Sequence, residues 1–256
     1  MNGINNTLFI GKVLHFLEET TSTNTVALEM LAKGGSNAFF TEGGVIFTFN
    51  QTAGRGQYGN RWDSEKGENI AMSIILKPHF LQARQQFHLN KAIALAVHDV
   101  FTVYTEGVSV KWANDIFIKN KKVAGILIQN TLSGTRIESS VIGIGINVNQ
   151  TNFKELPNAT SLKLETHKMF DLFKIVEHIC QSLEKRYLQL KSGHFEKLDA
   201  EYLSKLYRFN EIALFQYPNG AYFQGKIVGI SEVGKLVVET KLGLENFDIQ
   251  GIKFVL

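Results

Sequence analysis

The chain has 256 residues, with 27 basic and 24 acidic side chains, 22 glycines and one cysteine, Cys180. This length fits one large domain, or a large domain with a small one, at roughly 100–200 residues per domain. A single cysteine excludes an internal disulfide, as is typical of a reducing compartment, and the formal net charge of +3 does not indicate nucleic-acid binding. The sequence has no signal peptide and no apolar run of about 18 residues, so we expect a cytoplasmic protein without a membrane partner.

The N-terminal part of the sequence predicts short strands around one helix. The strands are apolar or β-branched runs at Val13–Leu17, Gly44–Phe49 and Asn69–Leu76. Apolar residues recur at helical spacing from Asn24 to Lys33, and Gly34 and Gly35 are the expected helix stop. A polar, glycine-rich stretch, residues 50–68, separates the second strand from the third.

The middle of the sequence predicts a long helix, four strands and two further helices. The long helix has an apolar face formed by Ile93, Val97, Val100, Phe101 and Tyr104. The four strands are expected at Ser109–Trp112, Ile116–Ile118, Lys122–Gln129 and Arg136–Val148. The two later helices are expected from Phe170 to Leu190 and at Glu196–Tyr207.

After Tyr207 the pattern contains only strands. They are expected at Ile212–Gln216, Ala221–Ser231, Lys235–Thr240 and Asn246–Val255. A run of short strands after two helices predicts a small β-barrel appended to a larger domain, with domains at 1–207 and 208–256. The predicted fold class is α+β.

Residues Gly54 to Trp62 read GRGQYGNRW and lie between two predicted strands. Glycines let the backbone adopt positive φ and approach a ligand, and the N–H groups of such a loop can bind an anion. Arg55 and Arg61 add planar donors suited to phosphate or carboxylate. The alternative is a hairpin loop whose glycines serve only the turns. We favour a functional loop, because a bare turn rarely needs three glycines, two arginines and a tryptophan.

The segment KWANDIFIKNKKVAGIL, which begins at Lys111, predicts a hairpin with charged strand ends. Lys111 and Asp115 lie where one strand ends, and Lys122 begins the next. An acid and two lysines in these positions could orient phosphates, a metal ion and an attacking amine. The alternative is an ordinary hairpin with solvated charges. We favour that alternative for Lys119 and Lys121, and both interpretations stay open for Lys111 and Lys122.

Two further segments are weaker signals. Thr20 to Asn24 read TTSTN before a predicted helix, which suits a helix cap, and a polar ligand contact is a rival interpretation. In VIGIGINVN, Gly143 and Gly145 alternate with β-branched residues, which lets another group pack closely on one face of the strand. The seven histidines show no metal-ligand spacing, and no serine–histidine nucleophile motif is present.

The order of the segments TSTN, QTAGRGQYGNRW, KWANDIFIKNKKVAGIL and VIGIGINVN resembles the biotin–protein ligase family over nearly the whole chain. The resemblance implies a mixed β-sheet catalytic domain with helices, of the class II synthetase-like biotin/lipoate ligase fold, and a small C-terminal SH3-like β-barrel. It implies that biotin and ATP form biotinyl-5'-AMP. A lysine on the biotin-carrier domain of acetyl-CoA carboxylase, or of another biotin-dependent carboxylase, then takes the biotin. Mg²⁺ is expected with ATP.

The resemblance also implies roles for individual residues. Lys122, Asp115 and Arg55 match catalytic positions, with Lys122 at the biotin carboxylate and α-phosphate and Asp115 near the incoming amine. The matching biotin-binding residues are Ser22, Thr23, Asn24, Gln51, Gly54, Arg55, Gly56, Gln57, Trp62, Lys122, Gly125 and Ile126. The matching ATP-binding or adenylate-binding residues are Arg55, Gln57, Asn60, Arg61, Lys111, Asn114, Asp115, Lys122 and Asn147.

The sequence departs from the family pattern in the loop and the tail. Gln57 and Asn60 replace the two later arginines of the usual GRGRxGRxW loop, although Arg61 is adjacent, and Gly251 replaces a common glutamate. Only 21 residues precede Ser22, too few for the helix-turn-helix repressor domain of bifunctional members, so we expect a short monofunctional form that does not bind DNA. If the strand at 136–148 lies at a sheet edge, it would pair with the carrier domain or another chain, which leaves a homodimer open.

Two other functions stay open at this point. A lipoate–protein ligase or octanoyltransferase shares the catalytic fold, although its usual RRxxGGGxVxH-type segment is absent from this sequence. A non-catalytic biotin sensor would keep the binding residues without the chemistry.

Overall fold

The computed structural model describes residues 3–33, 41–154 and 156–255. Its strands are β1 (Leu14–Leu17), β2 (Val45–Thr48), β3 (Gly54–Arg55), β4 (Arg61–Trp62), β5 (Asn69–Leu76), β6 (Val108–Lys111), β7 (Asp115–Ile118), β8 (Lys121–Ser133), β9 (Arg136–Asn147), β10 (Ile212–Gln216), β11 (Tyr222–Ile230), β12 (Leu236–Thr240), β13 (Gly243–Phe247) and β14 (Lys253–Phe254). Its helices are α1 (Thr23–Lys33), α2 (Gln86–Thr102), α3 (Leu162–Thr166), α4 (Leu172–Lys191) and α5 (Phe195–Ser204). No helix within the described ranges is long and apolar enough to cross a membrane.

Seven strands form a large mixed sheet in the order β1-β2-β5-β9-β8-β7-β6. β1 and β2 are parallel, and every other neighbouring pair is antiparallel. All eight residues of β5 are buried, because helices cover both faces of the sheet at its centre. Ala27 of α1 packs with Ile46, Ile75 and Val141 on one face. The alternate residues of the same strands pack with α2 and α4 on the other face.

Five strands after α5 form a second, antiparallel sheet in the order β13-β12-β11-β10-β14. This small sheet packs against the rest of the chain through Gly234, whose φ is +90° and where a Cβ would overlap the ring of Phe87. The Gly234 carbonyl also accepts a hydrogen bond from Trp112 Nε1 at 3.0 Å. The predicted α+β class with a small C-terminal β unit is confirmed, although the strand pairing within the described residues does not close into a barrel.

The predicted end of α1 cannot be compared with the structure, and the predicted start of α4 is wrong. The expected stop of α1 at Gly34 and Gly35 lies outside the described residues. α4 begins later than predicted because Asp171 is its N-cap and accepts a hydrogen bond from the backbone N–H of Phe173 at 2.9 Å. Phe170 therefore precedes the helix, although it continues the apolar pattern.

Two further helix predictions need correction, and one helix has no counterpart in the prediction. α2 ends before Tyr104, and α5 ends at Ser204 rather than at Tyr207. α3 was not predicted, because its five residues are too few to show an apolar period.

Two strand predictions are wrong. The expected strand Asn246–Val255 breaks into β13 and β14, because a turn closed by a 2.7 Å hydrogen bond from Gly251 N–H to Asp248 O separates them. β9 does not lie at a sheet edge: β5 pairs with it on one side and β8 on the other. The two edge strands of the large sheet are β1 and β6.

Candidate functional site

A cleft with a volume of about 580 Å³ lies between the α1 face of the large sheet, the glycine-rich loop and the edge of the small sheet. The predicted site residues that line it are Ser22, Thr23, Asn24, Gln51, Arg55, Gly56, Gln57, Asn60, Arg61, Trp62, Lys111, Asn114, Asp115, Lys122, Gly125 and Ile126. Two predicted residues, Gly54 and Asn147, do not line the cleft. Segments that are far apart in the sequence therefore meet in one place.

The floor of the cleft is a row of residues at one register across five neighbouring strands. Lys111 pairs with Asp115, Asp115 with Gly125, Gly125 with Gly145, and Gly145 with Ala71. Directly paired residues lie on the same face of a sheet, and all five line the cleft. The row has charged side chains at one end and small residues at the other, so large side chains can pack directly on the backbone at the uncharged end.

Two glycines keep this floor open for large side chains from other segments. A Cβ on Gly145 would overlap the Trp62 indole, and a Cβ on Gly143 would overlap the side chain of Asn24. The prediction that this alternating-glycine strand admits a close neighbour is confirmed, and the neighbours are Trp62 and Asn24. The buried Nε1 of Trp62 has no hydrogen-bond partner among the described residues.

The TTSTN segment forms the start of α1 and also lines the cleft. The Ser22 hydroxyl accepts a hydrogen bond from Thr25 N–H at 3.4 Å, and the Thr23 N–H donates to Gln51 Oε1 at 2.9 Å. The helix-cap interpretation is therefore confirmed. Ser22 and Thr23 are buried while bordering the cleft, so the structure leaves room for a ligand contact beside the cap.

Asn24 is held in place by side chains of the floor. Ser73 Oγ donates to Asn24 Oδ1 at 2.6 Å, and Asn24 Nδ2 donates to Gln129 Oε1 at 2.9 Å. Ser73 pairs with Gly143 on the adjacent strand. Buried amides and hydroxyls with several partners have fixed orientations, so this end of the cleft is polar and pre-organised.

The glycine-rich loop is a short hairpin formed by β3 and β4. Gly56 N–H donates to Asn60 O at 2.7 Å, and Asn60 N–H donates to Gln57 O at 3.1 Å. Tyr58 and Gly59, at the tip, have φ of 54° and 81°, which is why a glycine is needed there. Gly59 therefore serves the turn, and the loop presents side chains to the cleft.

The loop arginines are solvent-accessible. Arg61 forms an exposed ion pair with Asp63 at 3.2 Å, and Arg55 is exposed beside the cleft. Exposed pairs contribute little stability, so Arg61 can exchange Asp63 for another anion at small cost. Gly54 lies behind the cleft, where a Cβ would overlap the backbone of Trp62.

Lys122 and Asp115 form the charge pair at the end of the floor. Lys122 Nζ lies 2.7 Å from Asp115 Oδ1, and the two side chains are 33% and 25% exposed. Lys122 Nζ also lies 5.5 Å from the ring centroid of Trp62. A Cβ on Gly125 would come within 3.1 Å of Lys122 Nζ. This arrangement holds a cation over the glycine floor, with an acid beside it.

Lys111 lies one strand further along the same row. Its Nζ lies 5.6 Å from the ring centroid of Phe117 and 4.8 Å from that of Phe254. Burial lowers the pKa of the Lys111 ammonium, the nearby charge of Asp115 opposes this, and the charge of Lys122 adds to it. Lys111 and Lys122 are therefore partly buried and line the cleft, whereas Lys121 is exposed.

Two predicted residues have clear structural partners. Asn114 Nδ2 donates to the carbonyl of Ile126, whose N–H donates to Asn114 O at 3.1 Å, so Asn114 ties the turn to β8. Asn147 Nδ2 donates to Thr160 O at 3.1 Å. Its buried Oδ1 has no hydrogen-bond partner within the described ranges.

The small sheet contributes residues to the cleft that no local motif marks. These C-terminal residues are Gln216, Tyr222, Ile249, Ile252, Lys253, Phe254 and Val255. Packing of one sheet against the other brings them to the cleft. Met72 and Asn158 also line it outside the predicted motifs, whereas Tyr58 and Leu127 lie within the loop and hairpin segments but are not among the predicted site residues.

Comparisons with known proteins agree with this geometry. A family model described as "Biotin/lipoate A/B protein ligase family" matches residues 16–147. The chain is 33% identical over 243 residues to a Bacillus spizizenii protein named "Bifunctional ligase/repressor BirA", covering 93% of this chain and 72% of that protein. It is 27% identical over 230 residues to the Mycobacterium tuberculosis "Biotin--[acetyl-CoA-carboxylase] ligase", covering 88% of this chain and 83% of that protein.

The fold also matches a solved structure over nearly its full length. The structure titled "Biotin protein ligase from Aquifex aeolicus in complex with biotin and ATP" superimposes with a TM-score of 0.77 and 26% sequence identity, covering 95% of this chain and all of that chain. The family model, the relatives and the fold agree. The chain therefore belongs to the biotin/lipoate A/B protein ligase family, as a biotin–protein ligase, and it is an enzyme of the ligase class.

Proposed function

We propose that this ligase condenses biotin with ATP to give biotinyl-5'-AMP and pyrophosphate, and then transfers the biotin to a lysine of a carboxylase biotin-carrier domain. The observation that carries the proposal is the row Lys111–Asp115–Gly125–Gly145, which joins two lysines and an acid to an open backbone floor. We also propose that residues 1–207 form the catalytic domain and residues 208–256 a separate small domain.

Biotin lies in the cleft with its ring system at the polar end, against Trp62. Ser22, Thr23, Asn24 and Gln51 supply donors and acceptors to the ureido group, and the Trp62 indole, which packs directly on Gly145, forms one wall of the ring pocket. Gly125 and Ile126 leave space for the side chain of biotin, whose carboxylate reaches Lys122. This pose is supported by the 2.9 Å and 2.6 Å hydrogen bonds that fix Thr23 and Asn24 and by Gly145 and Gly143, whose missing Cβ atoms let Trp62 and Asn24 pack closely on the sheet. Gly54 supports the pose from behind the loop.

In the first step a carboxylate oxygen of biotin attacks the α-phosphorus of ATP, the bond to the β-phosphate oxygen breaks, and pyrophosphate leaves with its electron pair. Negative charge accumulates on the α-phosphate oxygens. Lys122 and Arg55 offset this charge, and such preorganised charge stabilisation is usually the main source of an enzyme's rate enhancement. Lys111 and Arg61 contact the leaving phosphates. Gln57, Asn60 and Asn114 complete the contacts to the nucleotide and its adenylate, and Asn147, which does not line the cleft, acts through its hydrogen bond to Thr160.

In the second step the ε-amine of the acceptor lysine attacks the carbonyl carbon of biotinyl-5'-AMP. The new amide bond forms, the bond to phosphate oxygen breaks, and AMP leaves. Asp115 orients the amine and takes its proton, as a general base does when it lies within hydrogen-bond reach. Asp115 contacts Lys122 at 2.7 Å before the reaction, so this pair must open towards the acceptor.

Mg²⁺ fits this scheme as a partner of the triphosphate. The described residues contain no group of three or more acidic, histidine or cysteine side chains that could hold a metal ion. Asp115 is the carboxylate among the residues that line the cleft. Mg²⁺ often binds through one or two carboxylates together with substrate phosphates, so Asp115 is the residue that would contact it, and the ion would neutralise phosphate charge.

The test is an assay of ATP-dependent acyl transfer with separate biotin and lipoate arms. The acceptor is a biotin-carrier domain, with the same domain lacking its target lysine as a control. We expect ATP-dependent labelling from biotin, release of pyrophosphate, and no labelling of the lysine-deficient domain. Transfer of lipoate but not biotin would identify a lipoate ligase, and biotin binding without pyrophosphate release would identify a sensor.

A further inference from the structure

Lys122 lies in a part of β8 that β9 no longer pairs with. The last pair between β8 and β9 is Ala124 with Ile146, so Lys122 extends past the paired part of β9. Its register with β7 is also irregular, because a bulge lies between its partner Phe117 and the preceding pair. Regular strand pairing in the large sheet therefore does not fix the backbone of Lys122 on both sides.

Residues 158–160 take the place of the missing strand. Lys122 N–H donates to Asn158 O at 2.8 Å, and Thr160 N–H donates to Lys122 O at 2.9 Å. Lys122 and Ala159 form a parallel bridge. Both backbone hydrogen-bonding groups of Lys122 are therefore held by this one segment.

The segment is itself held by side chains around Thr160, which is 1% exposed. The Thr160 hydroxyl donates to Glu165 Oε1 at 2.8 Å, and Asn147 Nδ2 donates to Thr160 O at 3.1 Å. Glu165 belongs to α3, whose N-cap Ser161 directly follows Thr160. The other oxygen of Glu165 forms an exposed ion pair with Lys119 at 3.2 Å.

We infer that Thr160, anchored by Glu165, is a positioning residue for Lys122. The inference rests on the proposed role of Lys122 in adenylate formation. The Lys122 ammonium must be held near Asp115. The position of the Lys122 side chain depends on its backbone, and residues 158–160 bind both backbone hydrogen-bonding groups of Lys122. A misplacement of about 1 Å in such a group costs about a hundredfold in rate. If the segment 158–160 is less well held, Lys122 Nζ is displaced and the rate of adenylate formation should fall.

The test compares Thr160→Val, which removes the hydroxyl and keeps the branched shape, with Thr160→Ser, which keeps the hydroxyl. Lys119→Ala is the matched control, because it removes the exposed ion pair of Glu165 without touching Thr160. Biotin-dependent pyrophosphate release gives kcat and KM, and amide hydrogen exchange reports on the Lys122 N–H. Glu165→Ala removes the acceptor from the other side and serves if Thr160→Val does not fold.

We expect Thr160→Val to lower kcat roughly tenfold, a part of the about hundredfold cost of a 1 Å misplacement. The KM for biotin should change less than kcat, because Lys122 is the one proposed biotin contact that the substitution displaces. The Lys122 amide should exchange faster, Thr160→Ser should restore both readouts, and Lys119→Ala should match the wild type.

A wild-type kcat and unchanged Lys122 exchange in both Thr160→Val and Glu165→Ala would overturn the inference, as would a Thr160→Ser variant no better than Thr160→Val. If the wild type itself releases no pyrophosphate, the proposed function fails, and the exchange of the Lys122 amide alone decides whether the segment is held by Thr160.

Discussion

The ammonium group of Lys111 lies 4.8 Å from the ring centroid of Phe254, a residue of the last strand of the small sheet. This contact joins the charged row of the large sheet to the C-terminal end of the chain. Phe254, Lys253 and Val255 line the cleft together with Lys111. The small sheet is therefore a wall of the candidate active site and not only an appendage.

Replacement of Phe254 by Ala should weaken ATP binding and shift its pH dependence. Burial lowers the pKa of Lys111, so its charge, and any phosphate contact that needs it, is present at low pH and lost as pH rises through that lowered pKa. Removing the ring rehydrates the ammonium, and the pKa should rise towards its ordinary value. We expect the KM for ATP to rise about fivefold, equivalent to about 1 kcal/mol, with its alkaline increase moved to higher pH.

The matched control for Phe254 is Leu244→Ala, which alters a 68% exposed side chain of the same sheet. Its kinetics should equal those of the wild type. If the KM for ATP of Phe254→Ala varies with pH as it does in the wild type, the Phe254 ring does not lower the pKa of Lys111.

Lys122→Ala should abolish most adenylate formation. The variant removes the cation that lies over the glycine floor, 2.7 Å from Asp115. Loss of one preorganised charge of this kind costs about 10²–10³ in kcat, measured as biotin-dependent pyrophosphate release. Lys121→Ala changes the adjacent, exposed lysine and should leave the rate unchanged. Equal rates in the two variants would remove Lys122 from the mechanism.

Asp115→Asn should separate the two steps of the reaction. The amide keeps the shape of the carboxylate but cannot take a proton from the acceptor amine, so transfer should fall about a hundredfold. Single-turnover transfer from preformed biotinyl-5'-AMP measures that step alone. Pyrophosphate release should fall less than transfer does, because Lys122 and Arg55 remain to offset the phosphate charge although the variant weakens the proposed contact to Mg²⁺. An equal loss in both steps would mean that Asp115 acts mainly by holding Lys122. Asp63→Asn, which alters the exposed partner of Arg61, is the control.

Gly145→Ala should impair biotin binding while leaving the chain folded. The added methyl group would overlap the Trp62 indole, and the exposed two-stranded hairpin that carries Trp62 can move aside more easily than the sheet. We expect the affinity for biotin to fall at least about tenfold by calorimetry, equivalent to about 1.4 kcal/mol.

Gly229→Ala is the control for this substitution, because the added Cβ would have no neighbour closer than 3.9 Å. It should bind biotin like the wild type, and both variants should melt within a few degrees of it. Full biotin affinity in Gly145→Ala would contradict the placement of biotin against Trp62.

The sequence was most informative where the site is built from continuous segments. The loop from Gly54 and the hairpin from Lys111 each carry several cleft-lining residues within a few positions, so their unusual composition is visible without a structure. Gly143 and Gly145 indicated a close contact, although the partners Asn24 and Trp62 come from other segments.

The remaining parts of the site depend on packing that no local pattern records. Phe254 reaches Lys111 only because Gly234 lets the small sheet approach Phe87 and Trp112. The strand predicted at Asn246–Val255 hid the turn that places Phe254, because apolar and polar residues alternate on both sides of Gly251, at Phe247 and Ile249 before it and at Ile252 and Phe254 after it. The bridge between Lys122 and residues 158–160 pairs segments without any shared pattern.

The most direct test of the central claim is a single-turnover reaction of the wild-type enzyme with labelled biotin and ATP in the absence of a carrier domain. Quenched samples are analysed for biotinyl-5'-AMP and pyrophosphate, and the carrier domain is then added to the remainder. We expect about one equivalent of biotinyl-5'-AMP to accumulate per active site and to disappear as biotinyl-lysine and AMP form. If labelled biotin reaches the carrier lysine without an adenylate intermediate, or if no pyrophosphate is released while biotin is bound, the proposed chemistry is wrong.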